Sequence, residues 1–210
     1  LFVSLNRNTT NHTGRFIMMR WCLIATQMTT TQTPTIGIVG LGGIGHHHTN
    51  QLKQLNAELV GGVDINPDAR KAYTNEHDVP TYETITDLIN NHHLDGVIVT
   101  TPNRYHAPAS IEALTNNINV LCEKPLAHTL DKAHDIADTA HASDAFFMAG
   151  FNNRFSEPTE AVIEYRNNNN FGDITHVEVN YIRRRGIPGR GSWFTQKDIS
   201  GGGSLIDLGV

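Results

Sequence analysis

Six residues, Gly40-Leu41-Gly42-Gly43-Ile44-Gly45, restrict what this 210-residue chain can fold into more than any others. They match G-x-G-x-x-G, follow the apolar run Ile36-Gly37-Ile38-Val39, and open onto a helical stretch from about Ile44 to Leu55. A glycine-rich turn alone is a weak signal. Strand, turn and helix in that order, with Asp64 lying 24 residues after Gly40 at the end of the next apolar run, make it a dinucleotide-binding fingerprint. Gly40 allows the tight turn, Gly42 lets backbone approach a pyrophosphate, and Gly45 permits close helix–strand packing. Gly43 and Ile44 stand at the helix start, where unpaired N–H groups and the helix dipole favour an anion. The Asp64 carboxylate suits the adenosine ribose hydroxyls and repels a 2′-phosphate. With Ile65 and Asn66, and no Arg, following it, the pattern favours NAD over NADP. A phosphate-free turn, or a methyltransferase-like site for adenosylmethionine, is the competing reading of the same loop.

From Thr35 onward, apolar runs alternate with helical patterns. Strands are expected at 36–39, 59–63, 96–100, 120–122 and 145–150, and helices at 44–55, 67–76, 84–90, 108–114 and 129–141. Continuously apolar strands separated by helices predict an α/β fold, a doubly wound parallel sheet of the Rossmann class, over residues 35–150. After Gly150 the pattern changes. Pro158 to Arg166 reads as a helix, and Ile174 to Arg183 alternates, with Val177, Val179 and Tyr181 on one face and His176, Glu178 and Asn180 on the other. This predicts a half-exposed antiparallel strand, the start of a smaller α+β domain over 151–210. Residues 1–34 carry no period and are expected to be a disordered or spurious leader, with Met28 an attractive true start. Within it, Phe16 to Ala25 is interrupted by Arg20 and is far short of the ~20 apolar residues of a membrane span.

Composition narrows the function. With 16 Lys plus Arg against 21 Asp plus Glu, the chain lacks the basic face that a nucleic-acid partner needs, and Arg183 to Arg185 is its one basic run. Two cysteines, Cys22 and Cys122, are too few for a disulfide framework and match no zinc spacing, so a reducing, cytoplasmic setting is the default. His46, His47 and His48 are consecutive. Successive helical side chains point about 100° apart, so the three cannot close on one metal and are expected to face solvent. No metal site is expected.

Two further motifs follow strand ends, where open α/β sheets bind ligands. They are Thr100-Thr101-Pro102-Asn103-Arg104-Tyr105-His106 and Glu123-Lys124-Pro125. With the glycine fingerprint, Gly150-Phe151-Asn152-Asn153-Arg154-Phe155 and the stretch Gly201 to Gly209, they make the chain resemble the Gfo/Idh/MocA family from about Thr35 to Val210. The resemblance implies an NAD(P)-dependent oxidoreductase acting on a CH–OH group of a sugar, polyol or inositol. It assigns Lys124 to both the nicotinamide ribose and the substrate hydroxyl. It places Glu123, Thr101, Pro102, Asn103 and His106 around the nicotinamide half of the cofactor. Asp207 falls on a helix that Ser204 is expected to cap. The resemblance makes it the second catalytic residue, holding the family's basic histidine, which stands four residues further on in the family. The sequence stops at Val210, so this residue and most of the substrate domain are expected to be missing by truncation. A catalytically inactive nucleotide-binding remnant that needs a second chain is the alternative. The expected partners are a small sugar or polyol and, at full length, further copies of the same chain, with neither nucleic acid nor membrane.

Overall fold

The computed structural model describes residues 33–168, 172–178, 180–182, 184 and 188–209. The expectations for Cys22, Met28, Phe16 to Ala25, Val179, Arg183, Arg185 and Val210 lie outside the described residues. Six strands, β1 (Thr35–Val39), β2 (Glu58–Val63), β3 (Thr81–Tyr82), β4 (Gly96–Val99), β5 (Asn119–Glu123) and β6 (Phe147–Gly150), form one sheet in the order β3-β2-β1-β4-β5-β6. Every pairing is parallel. Helices α1 (Gly43–Leu52), α2 (Pro67–His77), α3 (Ile85–Asn91), α4 (His106–Thr115) and α5 (Leu130–Ala142) cross between the strands. This is the doubly wound dinucleotide-binding topology, with its reversal of strand order between β1 and β4.

Strand residues alternate between two apolar faces, which is why the strands read as unbroken hydrophobic runs. Val39, Val97, Val99, Val120 and Cys122 face Leu88 of α3, Leu114 of α4 and Ile136 of α5. Ile36, Ile38 and Ile98 face Leu52 of α1 and Tyr73 of α2 on the other side. Glycine shapes the first layer. Gly37 and Gly61 are paired across β1 and β2, and an added Cβ on either would stand 2.7 or 2.8 Å from a Leu88 methyl. The glycine pair is thus a socket that lets fully buried Leu88 touch the sheet.

Helix starts follow local chemistry. Asn66, Thr84 and Thr129 each accept a backbone N–H of the first turn, capping α2, α3 and α5. Strand β3 was not expected from the sequence. It has two residues, too few for a period, and exists because Gly62 and Val63 offer it an edge. After β6 come helices α6 (Glu157–Asn167), α7 (Lys197–Ser200) and α8 (Ser204–Leu208). The strand expected at 174–183 is not formed by its described residues, which pair with no other strand. Val177, Tyr181 and Ile182 stand exposed, so among the described residues the alternating pattern meets no apolar layer. Among the described residues no helix is long and apolar enough to cross a membrane.

Replacing Leu88 by Ala empties the glycine socket. It is expected to cost 2–5 kcal/mol, read as a lower urea midpoint at unchanged slope.

Candidate cofactor and substrate site

The loop after β1 and the loop after β4 lie side by side at the reversal of strand order. Gly40 has φ 102°; its N–H donates to the Val63 carbonyl at 2.7 Å, and its carbonyl accepts from Thr100 Oγ1 at 2.6 Å. A Cβ on Gly40 would stand 2.7 Å from the Thr101 nitrogen, and one on Gly45 2.2 Å from the Gly40 carbonyl oxygen. The protein's own packing therefore demands these two glycines. Gly42 and Gly43 differ, since an added Cβ would meet nothing within 4 Å. Their open side, at the start of α1 and beside exposed Ile44, leaves room for a phosphate against backbone N–H groups.

Asp64 is pinned at the neighbouring strand end. Its Oδ2 accepts from the Leu41 N–H at 2.9 Å and its Oδ1 from the Asn66 N–H at 2.8 Å. Arg70, one turn into α2, donates from Nη1 to the Asp64 carbonyl at 2.6 Å. The residues immediately after Asp64 gave no hint of this cation, because the helix brings it back from six positions on.

On the β4 and β5 side the sequence-predicted residues divide into an open and a supporting group. His106 is 1% exposed, with Nδ1 2.7 Å from the Pro125 carbonyl and Nε2 2.7 Å from the Thr101 carbonyl. Burial lowers its pKa, against the two carbonyls, which favour the charged ring. It lies beneath the site and ties the two loops together. Buried Asn103 donates from Nδ2 to the Ser200 carbonyl at 2.8 Å, while Pro102 leads into the short 3₁₀ turn Asn103–Tyr105. Thr101 Oγ1 is buried with no hydrogen-bond partner.

Lys124 and Asp207 come together. Lys124 Nζ donates to Asp207 Oδ1 at 2.9 Å and to its carbonyl at 2.7 Å. The segment carrying Asp207 is seated by Gly201, whose φ is 84°. A Cβ there would stand 2.0 Å from the His128 carbonyl oxygen. Ser204 makes no capping bond; it is the first residue of α8, and Gly203 holds the cap position.

Sequence reasoning missed His48. Only His47 of the three consecutive histidines is exposed. His48 Nε2 lies 2.8 Å from Glu123 Oε1, while Glu123 Oε2 accepts the Lys124 N–H at 3.2 Å. Burial alone would raise the Glu123 carboxyl, but the hydrogen bond and charge of His48, with the Lys124 N–H and ammonium, hold it below its usual 4.5. The spacing from Gly45, three residues and nearly one helical turn, is the signal that could have placed His48 next to the loop. Cys122 is reduced and buried, and burial pushes its thiol up to about 12, so it supplies no thiolate. An open groove of about 610 Å³ starts at Glu123, Lys124 and Ile44 and runs past Leu121 and Met148 on the α1 side of the sheet.

The reversed sheet, the open glycine turn and the pinned acid define a dinucleotide-binding protein of the Rossmann class. The chain belongs to the GFO_IDH_MocA oxidoreductase family, NAD-binding Rossmann fold, whose model matches residues 35–151. It is 33% identical over 180 residues to glucose-6-phosphate 3-dehydrogenase of Bacillus subtilis, covering 83% of this chain and 50% of that one. It is 38% identical over 116 residues to D-glucoside 3-dehydrogenase of Escherichia coli, covering 55% and 33%. Among solved structures, an NAD-binding protein from Listeria innocua superposes with a TM-score of 0.73 at 30% identity, over 85% of this chain and 52% of that one. The chain therefore spans half or less of the length of these two curated relatives.

Because the folded pKa of Glu123 is depressed, its contribution to stability is fully present above the unfolded value. It is lost as pH falls through the folded value. Urea midpoints measured from neutral pH to below pH 4.5 are expected to fall less steeply in Glu123→Gln than in the wild type.

Proposed function

We propose that this chain is the cofactor-binding part of an NAD-dependent oxidoreductase that acts on a CH–OH group of a sugar or polyol. One observation carries the reading: the Lys124 ammonium, fixed by Asp207 at the end of β5, stands on the same edge of the sheet as the open glycine turn. Gly42, Gly43 and the first turn of α1 fit a pyrophosphate, Asp64 fits the adenosine ribose, and the unpartnered Thr101 hydroxyl fits the nicotinamide end.

When bound, the dinucleotide supplies the hydride acceptor. The chain's own residues set the geometry. Lys124 donates hydrogen bonds to the substrate oxygen and favours the developing negative charge there as the hydroxyl proton leaves. Asp207 limits the ammonium to one direction, because two of its oxygens take Lys124 donors and leave the third for the substrate. Glu123 holds the Lys124 backbone through its N–H and is itself held by His48 on the glycine-loop helix. The hydroxyl proton goes to a base, which the resemblance places at the position after Val210. The sugar class is supported by the two dehydrogenase relatives, both of which carry sugar substrates in their names.

NAD rather than NADP is the finer reading, supported by the Asp64 carboxylate beside the loop. Arg70 works against it, since removing the acid leaves a guanidinium next to the ribose site. Asp64→Ala is expected to weaken NADH binding by about 10–100-fold, the worth of a hydrogen bond to a charged group. It is also expected to narrow the preference over NADPH, both read by nucleotide fluorescence titration of the 210-residue chain.

The catalytic reading is tested in the complete protein. Lys124→Ala is expected to lower turnover of a sugar panel by at least about 10²-fold, with a much smaller change in NADH affinity. Unchanged turnover overturns the role of Lys124, and failure of the wild type to bind either dinucleotide overturns the function.

A further inference from the structure

The three consecutive histidines of α1 diverge. His47 faces solvent, His48 turns to Glu123, and His46 turns to the last turn of α2. There His46 Nδ1 lies 3.0 Å from His77 Nε2 and 3.3 Å from Glu76 Oε2, and Glu76 Oε1 lies 3.5 Å from His77 Nε2. Two imidazoles and a carboxylate thus bring one ligand atom each within 4.8 Å of one another. The Tyr73 ring packs edge-on against both imidazoles, with centroids 5.1 Å from His46 and 4.4 Å from His77, and its hydroxyl bonds Thr49. The rings are therefore held in place by α1 and α2 themselves.

Two histidines and a glutamate make a donor set that zinc accepts, with a water in the fourth position. Tetrahedral bonds of about 2.0–2.1 Å place neighbouring donor atoms roughly 3.3–3.4 Å apart; the two ring nitrogens lie 3.0 Å apart and His46 Nδ1 lies 3.3 Å from Glu76 Oε2, both close to that value. An ordinary ion pair explains less of the arrangement. It needs one histidine, whereas Glu76 turns a separate oxygen to each ring and the two ring nitrogens converge. The His77 side chain is also fully covered.

We propose that His46, Glu76 and His77 form a zinc-binding site that clasps α1 to the end of α2. It involves neither Glu123 nor Lys124, and it does not depend on the proposed oxidoreductase activity. It agrees with the expectation that three successive histidines cannot share one ion, because only the first of them takes part. Lys53 is the built-in competitor. Its Nζ lies 3.1 Å from His77 Nδ1, and an ammonium donating there directs the ring proton to Nε2, the atom the metal needs. Zinc binding moves that proton to Nδ1 by way of solvent, with no net release from this ring, and turns exposed Lys53 away.

The test is titration of the tag-free 210-residue chain with Zn²⁺ alone, in competition with a chromophoric chelator, together with thermal melting with and without the ion. One site and a raised Tm are expected. His46→Gln and Glu76→Gln are each expected to weaken binding by more than the roughly 10–100-fold that losing an outer-shell partner costs. Lys53→Met is expected to tighten it, a result that incidental surface binding would not give. His93→Gln, at a ring 88% exposed elsewhere, is expected to change nothing. If His46→Gln does not fold, by circular dichroism, Glu76→Gln decides, since that side chain is more than half exposed. Zinc uptake by the Glu76 variant equal to that of the wild type overturns the site, as does loss of binding in His93→Gln.

Discussion

Where β1 and β4 end side by side, backbone meets backbone with no space for a side chain. Gly40 lies against Thr100 and Thr101, and the first turn of α1 passes so close that Gly45 has no alternative residue. Much of the site is built outward from this contact. Thr100 closes it through its hydroxyl, the carbonyl of the adjoining Thr101 meets His106, and His106 meets the Pro125 carbonyl beside Lys124. A path of buried and partly buried polar contacts thus links the glycine turn to the backbone of the second motif. Each bond adds only about 0.5–1.5 kcal/mol net, whereas leaving a buried partner unsatisfied costs about 1–3 kcal/mol, so the path resists partial loss.

Much of this was legible in the sequence because it is local. Four of the six strands carry apolar runs of four or more residues, and β5 a run of three. The helices expected from 67 and 129 start where their own first turns are capped. The glycine spacing encodes a turn whose geometry leaves few choices. What was not legible depends on partners. β3 is a strand only because β2 offers an edge. The alternation at 174–183 is a pattern that meets no apolar layer among the described residues. His46 and His48 looked like solvated helix residues because Glu76, His77 and Glu123 lie 30 or more positions away, and helix periodicity says where a side chain points but not what waits there. Arg70 was missed for the same reason.

The motifs named the candidate site residues, but not how their contacts divide among them. Asn103 and His106 stand in the same stretch as Thr101, and only the structure separates a hydroxyl left without a partner from two side chains consumed in holding loops. The Lys124–Asp207 pair is likewise more about direction than stability. Both side chains are about a quarter to a third exposed, and exposed ion pairs contribute roughly 0–1 kcal/mol. The pair removes freedom from a long, flexible chain. In the proposed reaction, where Lys124 meets the reacting oxygen, that restriction is worth more than added stability.

The contacts that seat α7 and α8 join residues far apart in the chain: Asn103 to Ser200 across 97 positions and Lys124 to Asp207 across 83. The strand crossovers close over much shorter loops, and closure entropy grows with loop length. The sheet and its helices do not depend on either contact, so the segment carrying Asp207 meets a surface they already provide. Lys124 takes its one direction only with that segment in place, so the site is completed by contacts that span much of the chain.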